Sequence, residues 1–261
     1  MKQNLSEKTV LITGASSGIG REFAKALTAK GCRLILVARR TERLQELANE
    51  LQVPCEVLPA DLSREDECNR VMDTIAKQDV SVLINCAGFG ILGKTTELKP
   101  EEELNMIDVN IRAVHILSRR FLDLRKEADN GVLLNVASVA GLLPAGPYLN
   151  TYYATKAYVA SFTQGLAQEL QEAGSGIYVG ALCPGPVNTE FTKVARGTEW
   201  TNGADPAKIV DYTLRKVENG KTLIVPGAGI RTGLFFSRLA SRKTVAKIVG
   251  KSQKKKIQPL D

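Results

Sequence analysis

Tyr152 and Lys156, within the run T-Y-Y-A-T-K at 151–156, are the residues of this sequence best suited to moving a proton. Four positions apart on a helix, they share a face one turn from each other. An ammonium so placed favours the phenolate of its neighbour and draws a pKa of ~10 in model peptides toward neutrality. Tyr148, Tyr153 and Tyr158 crowd the same stretch, but only Tyr152 has a lysine at plus four. Tyr153 points about 100° away around the helix, which suits packing or the wall of a neighbouring pocket. A Y-x-x-x-K spacing arises often by chance, so its meaning depends on the elements that hold it.

Those elements begin near the N-terminus, where the apolar run Val10-Leu11-Ile12 leads into T-G-A-S-S-G-I-G at 13–20. Phe23, Ala24 and Leu27 follow at helical spacing, with Gly31 where a helix C-cap is expected. A strand, a glycine-rich turn and a helix open a βαβ unit. The glycines let backbone approach a pyrophosphate, and the helix N-terminus holds it with unpaired N–H groups and a partial positive charge. Taken alone, the motif is also compatible with a tight turn that binds nothing.

Further along, strands expected at 9–13, 33–38, 55–60, 81–85, 131–136, 177–182 and 222–226 alternate with helices near 18–30, 41–51, 64–77, 101–128, 149–173 and 206–218. Several strands, such as Leu34-Ile35-Leu36-Val37, are continuously apolar, as when helices cover both faces of a parallel sheet. Asp205-Pro206 supplies an N-cap acceptor and a residue suited to the first helical position. The pattern predicts an α/β fold, a single Rossmann-like, doubly wound parallel sheet of about seven strands with helices on both faces. That domain is expected to span 1–230, with a basic tail at 231–261.

TGxxxGxG from Thr13 to Gly20, Asn85-Cys86-Ala87-Gly88, Asn110, Ser138, Tyr152-x-x-x-Lys156 and Pro184-Gly185 occur in the order that marks the short-chain dehydrogenase/reductase family. The chain resembles that family from about Thr9 to Gly227. The resemblance implies hydride transfer between a nicotinamide cofactor and a carbonyl or secondary alcohol. It implies that Tyr152 is the acid when a ketone is reduced and the base when an alcohol is oxidised. Ser138 would donate a hydrogen bond to the substrate oxygen, and Lys156 would lower the pKa of Tyr152 and bind the nicotinamide ribose. Asn110 would hold a water that returns protons to Lys156; only the family register selects it over Asn105. Lowering a phenol from ~10 to ~7 takes ~4 kcal/mol, more than one exposed cation supplies. The charge of the oxidised nicotinamide and partial burial of the lysine are therefore expected to contribute.

The same resemblance maps cofactor contacts onto Gly14, Ser16, Ser17, Gly18, Ile19 and Gly20 in the first turn, and onto Asp61 and Leu62 beside the adenine. It maps them also onto Asn85, Ala87 and Gly88 beside the adenine ribose, and onto Pro184, Gly185, Val187 and Thr189 along the carboxamide. Tyr152 and Lys156 complete the set. Cys86 replaces the family's usual Asn, a local departure. At the end of the second strand, V-A-R-R at 37–40, NAD-binding proteins place a carboxylate against the ribose 2′-hydroxyl. Ala38 stands there instead and Arg39 follows, with Arg40 or the Ser16 and Ser17 hydroxyls to assist, a set suited to a 2′-phosphate. The expected cofactor is NADP(H), against the alternative of an ordinary solvated Arg-Arg turn.

Bulk properties narrow the classes. Five scattered cysteines without C-x-x-C spacing read as reduced thiols and point to the cytoplasm. His115, the single histidine, cannot assemble a metal site alone, so no metal is expected. Neither a signal peptide nor a long apolar span is evident. The net charge of +7 divides into +8 from residues 231–261 and −1 from the rest, leaving the body no electrostatic reason to bind nucleic acid. In the tail, Leu234, Phe235, Leu239, Val245, Ile248 and Val249 interleave with the cations. That pattern fits a helix on an anionic membrane or, the favoured expectation, one covering the substrate side or an oligomer interface.

The segments 89–92, 141–149 and 191–200, rich in Leu, Phe, Trp and Pro, predict an apolar substrate pocket. A lipophilic ketone or secondary alcohol fits it: a steroid, an acyl chain, or a small aryl or aliphatic ketone. By resemblance the helices at 101–128 and 149–173 would pair into a homodimer or homotetramer. The rival expectation is a non-catalytic NADP-binding regulator or redox sensor, against which the complete Asn, Ser, Tyr and Lys set argues.

Overall fold

In the computed structural model, residues 2–197 and 203–257 are described. Trp200 and residues 258–261, which figured in the pocket and tail expectations, lie outside them. Strands β1 (Thr9–Thr13), β2 (Arg33–Ala38), β3 (Cys55–Pro59), β4 (Val80–Asn85), β5 (Gly131–Val136), β6 (Ile177–Leu182) and β7 (Leu223–Ile224) form one sheet in the order β3-β2-β1-β4-β5-β6-β7. Every pairing is parallel. The expected doubly wound sheet is therefore what the chain forms, with the order reversing between β1 and β4. A crevice opens at that switch point, at the carboxyl ends of the strands.

Helices α1 (Gly18–Thr28), α2 (Thr41–Leu51), α3 (Glu65–Ile75), α4 (Pro100–Ile107), α5 (Val114–Arg125), α6 (Asn150–Glu172), α7 (Phe191–Val194), α8 (Pro206–Glu218), α9 (Ala228–Ser237) and α10 (Arg242–Lys254) surround the sheet. β5 and β6 are buried at every position, as continuously apolar central strands must be. One core cluster joins Val10, Ile12, Leu34 and Leu36 to Phe23 and Leu27 of α1 and Val210 and Leu214 of α8. On the opposite face Leu11, Ile35, Leu83 and Leu133 pack against Met72 of α3 and Phe121 of α5. Asp205 caps α8 as expected, its side chain accepting from Ala207 N at 2.9 Å.

Two local features differ from the sequence reading. The helix expected over 101–128 is interrupted by a π-helical turn at Asp108–Ala113, which includes Asn110. Such a turn wedges an extra residue into the ladder and is favoured where a side chain must be re-aimed. The tail also divides: α10 turns Val245 and Gln253 inward, whereas no residue of α9 is buried.

Candidate active site

The crevice is a cleft of about 580 Å³ running from the first glycine turn to the start of α6 and the end of α10. Its floor is backbone brought close by glycines. Gly14 takes φ +68°, and a Cβ there would stand 2.8 Å from Cα of Ala87. A Cβ on Gly20 would overlap the carbonyl of Gly14, so helix α1 can approach β1 only because that position carries no side chain. Thr13, buried at the end of β1, accepts from Cys86 N at 3.0 Å and Ala87 N at 3.1 Å, tying the turn after β4 to the glycine turn.

Along this floor lie Ser16, Ser17, Gly18 and Ile19, then Arg39 and Arg40, Asp61 and Leu62, and Ala87 and Gly88. Pro184, Gly185, Val187 and Thr189 close the far wall. Asn85 differs. It is 2% exposed, does not line the cleft, and donates to Ser118 Oγ at 3.1 Å and Asn135 Oδ1 at 2.9 Å. It is the last residue of β4, and its side chain points into a buried polar network reaching Thr163, which leaves only its backbone for the expected cofactor contact.

Arg39 and Arg40 behave differently from each other. Arg40 donates to Ser16 Oγ at 3.1 Å and pairs with Glu190 at 3.1 Å; Arg43 meets the same carboxylate at 2.6 Å. Together these guanidiniums hold the Glu190 carboxyl below its ordinary range, Arg43 most strongly. Arg39 lines the cleft, exposed, and forms no ion pair among the described residues.

At the other end, Ser138 sits just past β5 and caps a short 3₁₀ turn, its Oγ accepting from Ala140 N at 3.1 Å. Tyr152, in the first turn of α6, stands across from Phe191, ring centroids 5.3 Å apart. Lys156, 4% exposed, donates to the Val136 carbonyl at 2.8 Å, with Nζ 5.8 Å from the centre of the Tyr152 ring. Burial lowers its pKa to about 8, because an ammonium loses hydration there. Burial also raises Tyr152, to about 12, with the Ser138 hydroxyl opposing. Desolvation therefore dominates at the Tyr152 phenol, and Lys156, turned toward a carbonyl, does not offset it.

Asn110 is fully buried and does not line the cleft. Its amide donates to Phe89 O at 2.8 Å and Thr155 Oγ1 at 3.0 Å, and its Oδ1 accepts from Phe89 N at 3.1 Å. Both amide hydrogens are therefore spent clamping the turn after Gly88 to α6, so a water held here would have to donate to an Asn110 oxygen.

Phe89, Ile91, Leu149, Tyr153, Phe191 and Val194 give the tyrosine end apolar walls. The sequence reading missed its polar rim. Arg196 pairs with Glu102, Asn105 Oδ1 is buried without a hydrogen-bond partner among the described residues, and Gln253 of α10 donates to the Tyr153 hydroxyl at 3.1 Å. Contacts between residues 100 positions apart carry no local signal in a single sequence.

The short chain dehydrogenase family model matches residues 8–200. An uncharacterized oxidoreductase of Staphylococcus aureus (strain USA300) is 35% identical over 231 residues, covering 87% of this chain and 98% of its own. A short-chain dehydrogenase from Sphingobium yanoikuyae in complex with NADPH is 31% identical, with TM-score 0.80 over 88% of this chain and 95% of its own. A bulky-bulky ketone specific alcohol dehydrogenase from Comamonas testosteroni is 28% identical, with TM-score 0.77 over 89% and 92%. Among the solved neighbours, one is a complex with NADPH and another, from Burkholderia phymatum, a complex with NAD. A glycine-floored crevice, a buried lysine beside a tyrosine, and these matches over most of its length make the chain an oxidoreductase of the short-chain dehydrogenase/reductase family.

Proposed function

We propose that the protein is an NADP(H)-dependent carbonyl reductase acting on a lipophilic ketone, with Tyr152 as the proton donor and the same site able to run in reverse on the alcohol. The observation that carries this reading is the convergence of Tyr152, Ser138 and Lys156 at one end of a cleft whose other end offers an unpaired arginine. The glycine floor fits a dinucleotide, since Gly14 and Gly20 let the turn, the loop after β4 and the start of α1 pack closely enough to present backbone to a pyrophosphate. Arg39, with Ser16 and Ser17 beside it, fits a 2′-phosphate, and no carboxylate stands at Ala38 to favour NAD.

When bound, the nicotinamide supplies the hydride. The protein has then to hold the carbonyl, stabilise the developing oxyanion and deliver a proton. Ser138, its backbone fixed past β5, donates to the substrate oxygen. Tyr152, with its pKa near 12, stays protonated at neutral pH and is in the correct state to donate as charge develops on that oxygen. Lys156, titrating at about 8, resupplies the proton at a modest energetic cost and holds the ribose side of the cofactor. Asn110 acts through position, fixing the turn that carries Gly88 and Phe89.

The walls from Phe89, Ile91, Leu149 and Phe191 support an apolar substrate, as does the likeness to an enzyme for bulky ketones. Pairing of two chains through α5 and α6 fits the exposed His115 and the half-buried Tyr158 and Phe162 that those helices carry on their outer side. The sensor reading is disfavoured because burial raises all five thiols, Cys86 and Cys183 to about 12, the opposite of a reactive thiolate.

A panel of aryl, alicyclic and acyl ketones, followed by loss of reduced-nicotinamide absorbance, tests the proposal. Turnover of at least one bulky apolar ketone with NADPH, and much slower turnover with NADH, is expected. Tight NADPH binding without turnover of any ketone or alcohol would overturn it.

A further inference from the structure

Beyond Gly227 the chain ends in two helices of opposite character. The inner side of α10 packs onto the body through Val245 and Gln253. Helix α9 buries none of its residues: Phe235 and Phe236 are each 60% exposed, and Leu239 just past its end is 74% exposed. The two phenyl rings stand edge to face, centroids 5.6 Å apart. At helical spacing these three side chains fall within an arc of about 100°, with Arg231 and Arg238 at its edge. Around Gly229 and Gly233 of the same helix, added side chains would meet open space, so no other part of the described chain covers α9 there. Grouped exposure of large apolar side chains marks a contact surface.

Charge narrows the partner. From Asn219 to Leu260 the sequence has no acidic residue. Every Arg and Lys from Arg231 to Lys255 is exposed, and none forms an ion pair with another described residue. Two such arms meeting face to face would oppose like charges. Interfaces between proteins are moreover depleted in lysine, whereas α10 and the residue after it expose Lys243, Lys247, Lys251, Lys254 and Lys255. A layer of dense negative charge over an apolar interior accommodates both groups at once.

We propose that the C-terminal arm is a docking surface for an anionic lipid bilayer, with Phe235, Phe236 and Leu239 entering the headgroup region and the surrounding cations meeting lipid phosphates. The attachment is peripheral, because no described helix is long and apolar enough to cross a membrane. This surface lies outside the nucleotide cleft and stands or falls independently of the reductase reading.

Sedimentation of the full chain with vesicles of phosphatidylcholine mixed with phosphatidylglycerol, against vesicles of phosphatidylcholine alone, tests it. Binding to the mixed vesicles, weakened by salt, is expected. The Phe235→Ser/Phe236→Ser double variant should lose on the order of tenfold or more in partitioning, while its melting temperature and NADPH affinity match the parent. Lys243→Glu/Lys247→Glu should lose comparably through charge alone. Failure of the parent to pellet with anionic vesicles overturns the proposal, as does pelleting of either variant to the same extent as the parent. Dissociation of a parent oligomer by the Phe variant, seen by size-exclusion chromatography, would assign the face to a second copy and overturn it too.

Discussion

Replacing Lys156 with methionine should make the cofactor-free protein more stable near neutral pH while removing its activity. Burial lowers the ammonium from 10.5 to about 8, a difference of 2.5 units. At ~1.4 kcal/mol per unit this is roughly 3 kcal/mol held against folding. The folded chain binds fewer protons at this site than the unfolded chain between those two values. The penalty is therefore complete below pH 8 and is relieved as pH rises toward 10.5. Loss of the hydrogen bond to the Val136 carbonyl subtracts about 1 kcal/mol with little pH dependence. The raised pKa values of Tyr152, Cys86 and Cys183 lower stability at high pH in both proteins and largely cancel in the comparison. Urea unfolding of parent and Lys156→Met across this range should show the variant's advantage shrinking by roughly 3 kcal/mol. A difference that stays constant with pH would refute the claim that a strained, partly discharged lysine sits at the site.

Three further outcomes follow from the cleft. Arg39→Ala should weaken NADPH by about tenfold, the worth of one exposed charge-assisted contact, and leave NADH nearly unaffected; equal losses, read by fluorescence titration, would reverse the cofactor assignment. Gly20→Ala forces a methyl into the Gly14 carbonyl, a backbone atom that cannot rotate away, and should cost about 1–3 kcal/mol together with cofactor affinity. An unchanged melting temperature would show that the turn has slack. Thr13→Val leaves the Cys86 and Ala87 amides without their acceptor and should destabilise by about 2 kcal/mol or more, measured by urea unfolding.

Much of this architecture could be read directly from residue order. The limits expected for β1, β2, β5 and β6 coincide with those in the structure, because buried parallel strands are written as unbroken apolar runs bounded by turn residues. The same clarity placed Ser138 at a strand's carboxyl end and Tyr152 and Lys156 on one helix. What stayed hidden depends on contacts distant in sequence. Asn85 and Ala87 look equivalent in the N-C-A-G run, yet Asn85 ends β4 with its side chain in the core, whereas Ala87 lies past the strand on the cleft. The π turn at Asp108–Ala113 has no compositional mark, and Asn110's clamp depends on Phe89 and Thr155, both remote in the chain. Nor does helical spacing report burial, which raises the Tyr152 phenol.

The most direct test of the central claim separates binding from chemistry at one atom. Tyr152→Phe removes the phenolic oxygen and keeps the ring against Phe191. NADPH affinity should remain within about twofold of the parent while turnover of any active ketone falls by a factor of 10² or more, the usual scale for losing a general acid. Retention of near-parental turnover by this variant would contradict Tyr152 as the proton donor.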